Sequence, residues 1–370
     1  MIIKSPLLQR LDKDIAAAAS PLRSAPLKAQ RSILLARHGD LAGARGDLTA
    51  LHQQAFQHPH AEVSAWLQLA EGLMSYYSDL SDGAPDKIRR AKSLAKSAGL
   101  TEVEGLASAW LAMFAYVNQD IEGVVRHARE CLELSSRNDH AARGRLAIAL
   151  ALTHDDAELA QSARGWYAEA RKHASSEGDD ASLSALMFNM AAMRTNRARH
   201  HVLSQSTSGS VTELMMAAES FKHYDQAVGV SSKAELTPLL RAQVLSLNGE
   251  FAAAAAIYEQ HLPQAMSLGM TRLTCDYLAD LAWCRVHTGQ LEQALQQARR
   301  AEQELDPSCH LNDRASTHSR LAQVHAALGD TESAQRHAAQ AATHWQAVAE
   351  QHRHWAAALA EAGLSQPPST

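Results

Sequence analysis

The chain has 370 residues, a formal net charge of −5 and a hydrophobic fraction of 46%, of which aromatic residues supply little, at 5% of the chain. Much of the apolar content is alanine, the best helix former, and no Val/Ile run is long enough for the strands of an α/β enzyme, so the composition is all-α. The mild charge is dispersed, with no cluster of Lys and Arg, which argues against nucleic acid and lipid headgroups as partners.

In chain order, residues 1–24 read as an N-terminal helical arm, because Leu7, Leu8, Leu11 and Ile15 recur at helical spacing. Charges interrupt its apolar residues every few positions, unlike a signal peptide. Residues 25–199 read as a degenerate array of helical hairpins. Its first hairpin turns at Gly39, its second across Asp79–Asp86 with Pro85 in the first turn of the following helix, and its third at Asn118–Val124. Thr101 with Glu104 has the spacing of a capping box. His154-Asp155-Asp156 reads as a shortened turn and Ala181–Arg199 as a helix. His200–Ser210 loses apolar periodicity and reads as a loop, Val211–Ala227 returns to helix, and 200–235 as a whole is expected to be an irregular hinge region.

From Leu236 to about Gln346 the pattern sharpens. Gly249, Gly289 and Gly329 stand two steps of 40 residues apart, each followed five positions later by an alanine: Ala254, Ala294 and Ala334. A fixed period in this range marks a stacked helical array. Residues 347–364 read as a helix capping the stack, and 365–370 as a disordered tail. The longest apolar runs, such as Phe251–Tyr258, fall far short of a membrane span. Cys131, Cys275, Cys284 and Cys309 form no C-x-x-C pair and read as reduced thiols. The chain is therefore expected to be cytoplasmic and to act without a membrane.

The stretch around Gly289, L-A-D-L-A-W-C-R-V-H-T-G-Q-L-E-Q-A-L-Q-Q-A-R-R-A, resembles the tetratricopeptide repeat (TPR) signature. Leu278, Leu281, Ala282, Gly289, Ala294 and Ala301 take its large, small and glycine positions; Ala322, Gly329, Ala334 and Ala341 match in the next copy, and Ala242, Gly249 and Ala254 in the previous one. The likeness is strong over 236–345, moderate over 25–135 and weak between. The 40-residue period is longer than the family's usual one and is similar to that of bacterial regulators of the MalT-like and Rap-like groups. The resemblance implies an all-α, right-handed superhelical solenoid of about eight antiparallel helix hairpins.

It also implies that the first helix of each hairpin faces a concave groove. That face would carry Trp66, Leu69, Leu73, Tyr76 and Tyr77 in the second repeat, and Met113, Tyr116 and Val117 in the third. Phe188, Trp283 and His287 would face inward further along. Tyr and Trp offer large contact area at small entropic cost, which suits peptide capture. The competing reading is that these side chains, and Trp66, Trp110 and Trp166 in particular, pack between helices or against the arm folded into the groove. A carboxylate clamp needs inward Lys, Arg and Asn. The second and third repeats put none at these positions, with Arg37 and Asn118 the nearest candidates, so a clamp is not expected.

Motifs for chemistry are lacking. There is no phosphate-binding glycine loop, nucleophile elbow or H-E-x-x-H. The 20 histidines include His58/His60, His200/His201 and His352/His354, with His318/His325 and His337/His344 seven apart. The first three pairs supply only two imidazoles each with no cysteine nearby, and the last two lack a carboxylate at i+4, so no metal site and no cofactor is expected. The expectation is a non-enzymatic interaction scaffold that binds a peptide or protein segment. The alternative is a regulatory sensor whose groove takes a signalling peptide or small molecule and acts on a separately encoded output protein. Homodimer formation is left open.

Overall fold

Alanine-rich amphipathic segments become helices wherever their apolar stripe can be buried, and they do so throughout the described residues. The computed structural model describes residues 3–79, 83–204, 214, 220, 223–231, 236–267, 273–306 and 309–368. The second turn at 80–82, the loop from 205 to Ser210 and most of Val211–Ala227 lie outside the described residues. Among the described residues there is no strand.

The helices are α1 (Pro6–Ala17), α2 (Pro21–His38), α3 (Leu41–Gln57), α4 (Ala61–Asp79), α5 (Ala84–Ser97), α6 (Thr101–Val117), α7 (Ile121–Leu134), α8 (His140–Asp156), α9 (Ala160–Glu177) and α10 (Asp180–Leu203). After the 200–235 region come α11 (Leu236–Leu247), α12 (Phe251–Ser267), α13 (Thr274–His287), α14 (Leu291–Gln303), α15 (Leu311–Ala327) and α16 (Thr331–Glu361). Sequential helices pack as hairpins: α2 with α3, α4 with α5, α6 with α7, α8 with α9, α11 with α12 and α13 with α14. First helices of neighbouring hairpins also touch, as α2 with α4, α6 with α8 and α13 with α15 do. This is the stacking of a TPR-like solenoid.

Two compact units result: Met1–Met187 with His223–Ser232 and His354–Thr370, and Phe188–Lys222 with Lys233–Arg353. In the second unit the small positions do the work assigned to them. Ala242, Ala254, Ala282, Ala294 and Ala301 are all fully buried beside Leu278 and Leu281, because close helix crossings leave room only for a methyl group. Ala322 and Ala334, in the last copy, are only half-buried. In the first unit the arm is α1. Ser5 caps it by accepting from Leu8 N at 3.4 Å, and Leu7 and Leu11 pack on Leu34 and Ala181.

The 40-residue step has a backbone cause. Gly249, Gly289 and Gly329 close their first helices at φ of 80°, 75° and 81°, the left-handed conformation that glycine adopts without a Cβ penalty. The third and fourth turns reach the same conformation without glycine, through Gln119 at φ 57° and Glu158 at φ 59°. Glu158 also shows that the fourth turn lies later than expected, since α8 runs through His154-Asp155-Asp156 before ending. Asp120 reinforces the third turn by accepting from Gly123 N at 2.9 Å. The Thr101–Glu104 capping box does not form: Leu100 is the N-cap of α6 and Thr101 already lies inside the helix. α10 likewise continues through His200 and His201 to Leu203. At the other end α16 runs unbroken from Thr331 past Gln346 to Glu361. Leu364, beyond it, is buried, and its carbonyl accepts from Trp166 Nε1 at 2.9 Å.

Candidate functional site

The first unit encloses a cavity of about 470 Å³. Its walls come from first helices of successive hairpins, as the superhelical reading implies: Ile33 and Arg37 of α2, Trp66 of α4, Leu106 and Trp110 of α6, and Gly144 and Arg145 of α8. α1 adds Leu7 and Leu11, so the arm covers part of the concave face. Its hold is on the corner after α9, where Leu7 N donates to Gly178 O at 3.2 Å and Arg10 pairs with Glu177 at 3.3 Å.

Two arginines line this space and their surroundings differ. Arg37 is a satisfied cation: its guanidinium donates to both Asp179 oxygens at 2.9 and 3.0 Å and to Ser182 Oγ at 2.5 Å. Although burial opposes its charge, Asp179 holds its pKa above the usual arginine value. Arg145 is only 7% exposed, and its guanidinium carbon lies 3.9 Å from the centre of the Trp110 ring. Among the described residues, no carboxylate forms an ion pair with it. Burial lowers its pKa and the nearby Arg37 adds to this, while Tyr77, Asp179 and Tyr76 offset it only in part. An unpaired guanidinium on an indole face is stabilised by the ring quadrupole but leaves its donors free for a ligand carboxylate.

Acidic groups share the same walls. Glu102, Asp139 and Glu177 line the cavity with Asn138 and His140. Burial pushes the Asp139 carboxyl up, although Ala142 N and Arg143 favour its charge; burial and the nearby Asp179 push Glu177 up. His140 and His173 approach Nδ1 to Nδ1 at 2.9 Å, so one of the two must carry the shared proton. Among the described residues, the cavity therefore offers one cation without an ion pair and several under-compensated carboxyls, a charge pattern suited to a ligand that carries both signs.

Of the eleven side chains expected on the groove, Trp66 alone reaches this cavity. Leu69, Leu73 and Met113 are buried; in these repeats the apolar stripe of the first helix supplies the packing between hairpins. Tyr76 and Tyr77 are half-buried and meet Trp110 and Phe114 in edge-to-face contacts with centroids 5.0–6.3 Å apart. They stand behind the tryptophan on which Arg145 rests. Tyr116 packs edge-on against Trp355, and Val117 beside it is half-buried. In the second unit Phe188 is half-buried, and His287 is sandwiched, stacked on Phe251 at 3.9 Å and meeting Trp283 at 4.4 Å. Trp166 is core, as the competing reading allowed. Sequence reasoning missed Arg145. Its signal was present in H-A-A-R-G-R-L, where an arginine interrupts the apolar stripe of α8, but that repeat had no glycine to fix its register.

All four cysteines are free and buried, and burial pushes the thiols of Cys131 and Cys284 up to about 12, which suits core packing rather than nucleophilic attack. No described helix is long and apolar enough to cross a membrane.

Neither family models nor curated proteins match this sequence. Among solved structures, a Rap protein complexed with Competence and Sporulation Factor is similar, at 10% identity and a TM-score of 0.57, covering 90% of this chain and 100% of that one. The fold is thus that of a TPR-like helical-repeat protein, and at this identity the likeness speaks for the fold alone.

Proposed function

We propose that this protein is a non-enzymatic binding protein whose first unit receives a short peptide, or the end of a partner's chain, in the cavity beside Trp110. The observation that carries the reading is Arg145, a buried cation with aromatic support and, among the described residues, no carboxylate in an ion pair with it. A ligand carboxylate would bridge to Arg145, and an ammonium or guanidinium group on the same ligand would meet Asp139 and Glu177. That a Rap protein of similar fold is known in complex with Competence and Sporulation Factor supports a ligand-binding role for such a stack. Contrary to the sequence expectation, a carboxylate contact thus enters the reading, through a residue outside the second and third repeats.

A second reading, a sensor for a small zwitterionic molecule, is favoured by the cavity volume of about 470 Å³, within the range that small ligands occupy. A thermal-shift screen of free amino acids and of di- to tetrapeptides bearing acidic and basic groups separates the two. Stabilisation of the wild type by peptides, lost in Arg145→Met, is the expected result; stabilisation by amino acids alone would favour the sensor. Ligands that act equally on wild type and R145M would remove Arg145 from the site.

A further inference from the structure

The second unit holds a cluster that the ligand-binding reading does not use. Glu302 on α14, His325 on α15 and His337 on α16 bring a carboxylate oxygen and two imidazole nitrogens within 4.8 Å of one another. Glu302 Oε1 lies 2.7 Å from His337 Nε2 and 3.4 Å from His325 Nε2. The side chains of both histidines are 4% exposed and that of Glu302 is 31% exposed. His325 is the unusual member. Carboxylate oxygens lie 3.4 and 3.2 Å from its two ring nitrogens, but neither nitrogen makes a directed hydrogen bond. A buried imidazole without a directed partner calls for an explanation.

We propose that Glu302, His325 and His337 bind a divalent transition-metal ion of the zinc class through Oε1 and the two Nε2 atoms. With bonds of about 2.0–2.1 Å, tetrahedral ligands stand roughly 3.3 Å apart. The Glu302–His325 spacing already matches this, and the Glu302–His337 spacing needs to open by about 0.6 Å. The outer groups are also in place. Asp330 Oδ2 lies 3.2 Å from His325 Nδ1, close enough to accept the Nδ1 proton once a bound metal aligns the ring with its Nε2 lone pair inward. His318 Nδ1 lies 2.9 Å from His337 Nδ1 and does the same for the second ring. Such outer partners fix tautomer and orientation in histidine metal sites. In the free protein His337 donates Nε2–H to Glu302 and accepts from His318 at Nδ1. On metal binding these two rings change tautomer through solvent, so that His337 carries its proton on Nδ1 and donates it to His318. His325 keeps Nδ1–H toward Asp330, and the Nε2 atoms of His325 and His337 are free to bind.

The half-exposed side of Glu302 leaves a fourth position open to water. Bound there, the ion would tie α14, α15 and α16 together at the last hairpin, where Ala322 and Ala334 are half-buried and the alanine packing thins. One group competes: Arg336, exposed, places its guanidinium 3.4 Å from both Glu302 Oε1 and His337 Nε2. It occupies the position of the cation and must swing into solvent when the metal enters.

The test uses the full chain, stripped with chelator and titrated with ZnCl₂ by calorimetry, and with CoCl₂ by visible absorption. One equivalent of metal is expected, with the intense ligand-field bands of four-coordinate Co(II). Glu302→Gln and His337→Gln should each weaken binding at least tenfold, Asp330→Asn by about 10-fold or more, and Arg336→Gln should tighten it by removing the competitor. His58→Gln/His60→Gln should bind as the wild type does. Circular dichroism confirms that each variant is folded; should one of the site variants unfold, R336Q, altered on an exposed side chain, still reads the site. No metal uptake by the folded wild type, equal affinity in R336Q and wild type, or loss of binding in the His58/His60 variant would each overturn the assignment.

Discussion

The two units bury arginine in opposite ways. In the second, Arg199 reaches both oxygens of Asp276 at 2.8 and 3.0 Å and Asp280 at 2.7 Å, while Arg320 donates to the other Asp280 oxygen at 2.9 Å. Two cations and two carboxylates form a closed set, at most 5% exposed, with Tyr258 Oη donating to Asp280 at 3.4 Å. In the first unit, Arg145 is 7% exposed and, among the described residues, rests on an indole face without an ion pair. A charge network of the first kind specifies packing; an unpaired buried cation destabilises its own fold and gains a partner only when a ligand arrives. The regular repeats have paired the charges of Arg199 and Arg320. Among the described residues, the irregular ones leave Arg145 without an ion pair, and that is where the peptide-binding function is read.

The largest expected effect breaks the closed set. Asp280→Ala strands Arg320 and removes one partner of Arg199, and should cost about 3–5 kcal/mol; a loss under about 1 kcal/mol in denaturant unfolding would mean the network is solvated. Next comes a pair of substitutions in the first unit with opposite signs. Arg37→Met leaves Asp179 buried and alone and should destabilise by about 3 kcal/mol, whereas Arg145→Met removes an unpaired charge and should leave stability unchanged or higher while ligand binding is lost. Equal destabilisation by both would erase the distinction between the two arginines.

A smaller effect is one of pH. Burial raises the pKa of Asp139 and Glu177 in the free protein, and a ligand cation favours their ionised forms. Binding of a basic ligand therefore takes up no proton at neutral pH and weakens as pH falls through these raised values. Affinity that stayed constant across the acidic range in calorimetry would show that the acids do not touch the ligand. The smallest effects concern the turns. A Cβ at Gly289 meets nothing within 4 Å, so Gly289→Ala should cost only the left-handed strain, about 1 kcal/mol. Gln119→Gly should recover a comparable amount, lessened by the chain entropy that glycine adds to the unfolded state. Thermal melts of the two variants should shift in opposite directions.

The repeat period, the all-helical class and the buried alanines around Gly289 were legible because they are local: a glycine that permits positive φ and an alanine that permits a close crossing act within one hairpin. The aromatic residues of the second repeat were legible as important but not as to where they point. Trp66 faces the cavity while Tyr76 and Tyr77 stand against Trp110, a difference set by hairpin stacking. The turns at Gln119 and Glu158 were blurred because residues other than glycine adopt the glycine conformation there.

Sequence by itself therefore determined the architecture, through propensity, period and the small residues that let helices approach. Tertiary structure alone decided which polar groups meet. Arg37 finds Asp179 and Ser182 from more than a hundred residues away, Arg145 comes to rest on Trp110, and Glu302 brings a carboxylate to His325 and His337 from a third helix. The physical reason is that repeat period fixes contacts within a hairpin and between its immediate neighbours. Charge pairing depends on the side-chain geometry between hairpins, which the linear spacing of titratable residues does not encode.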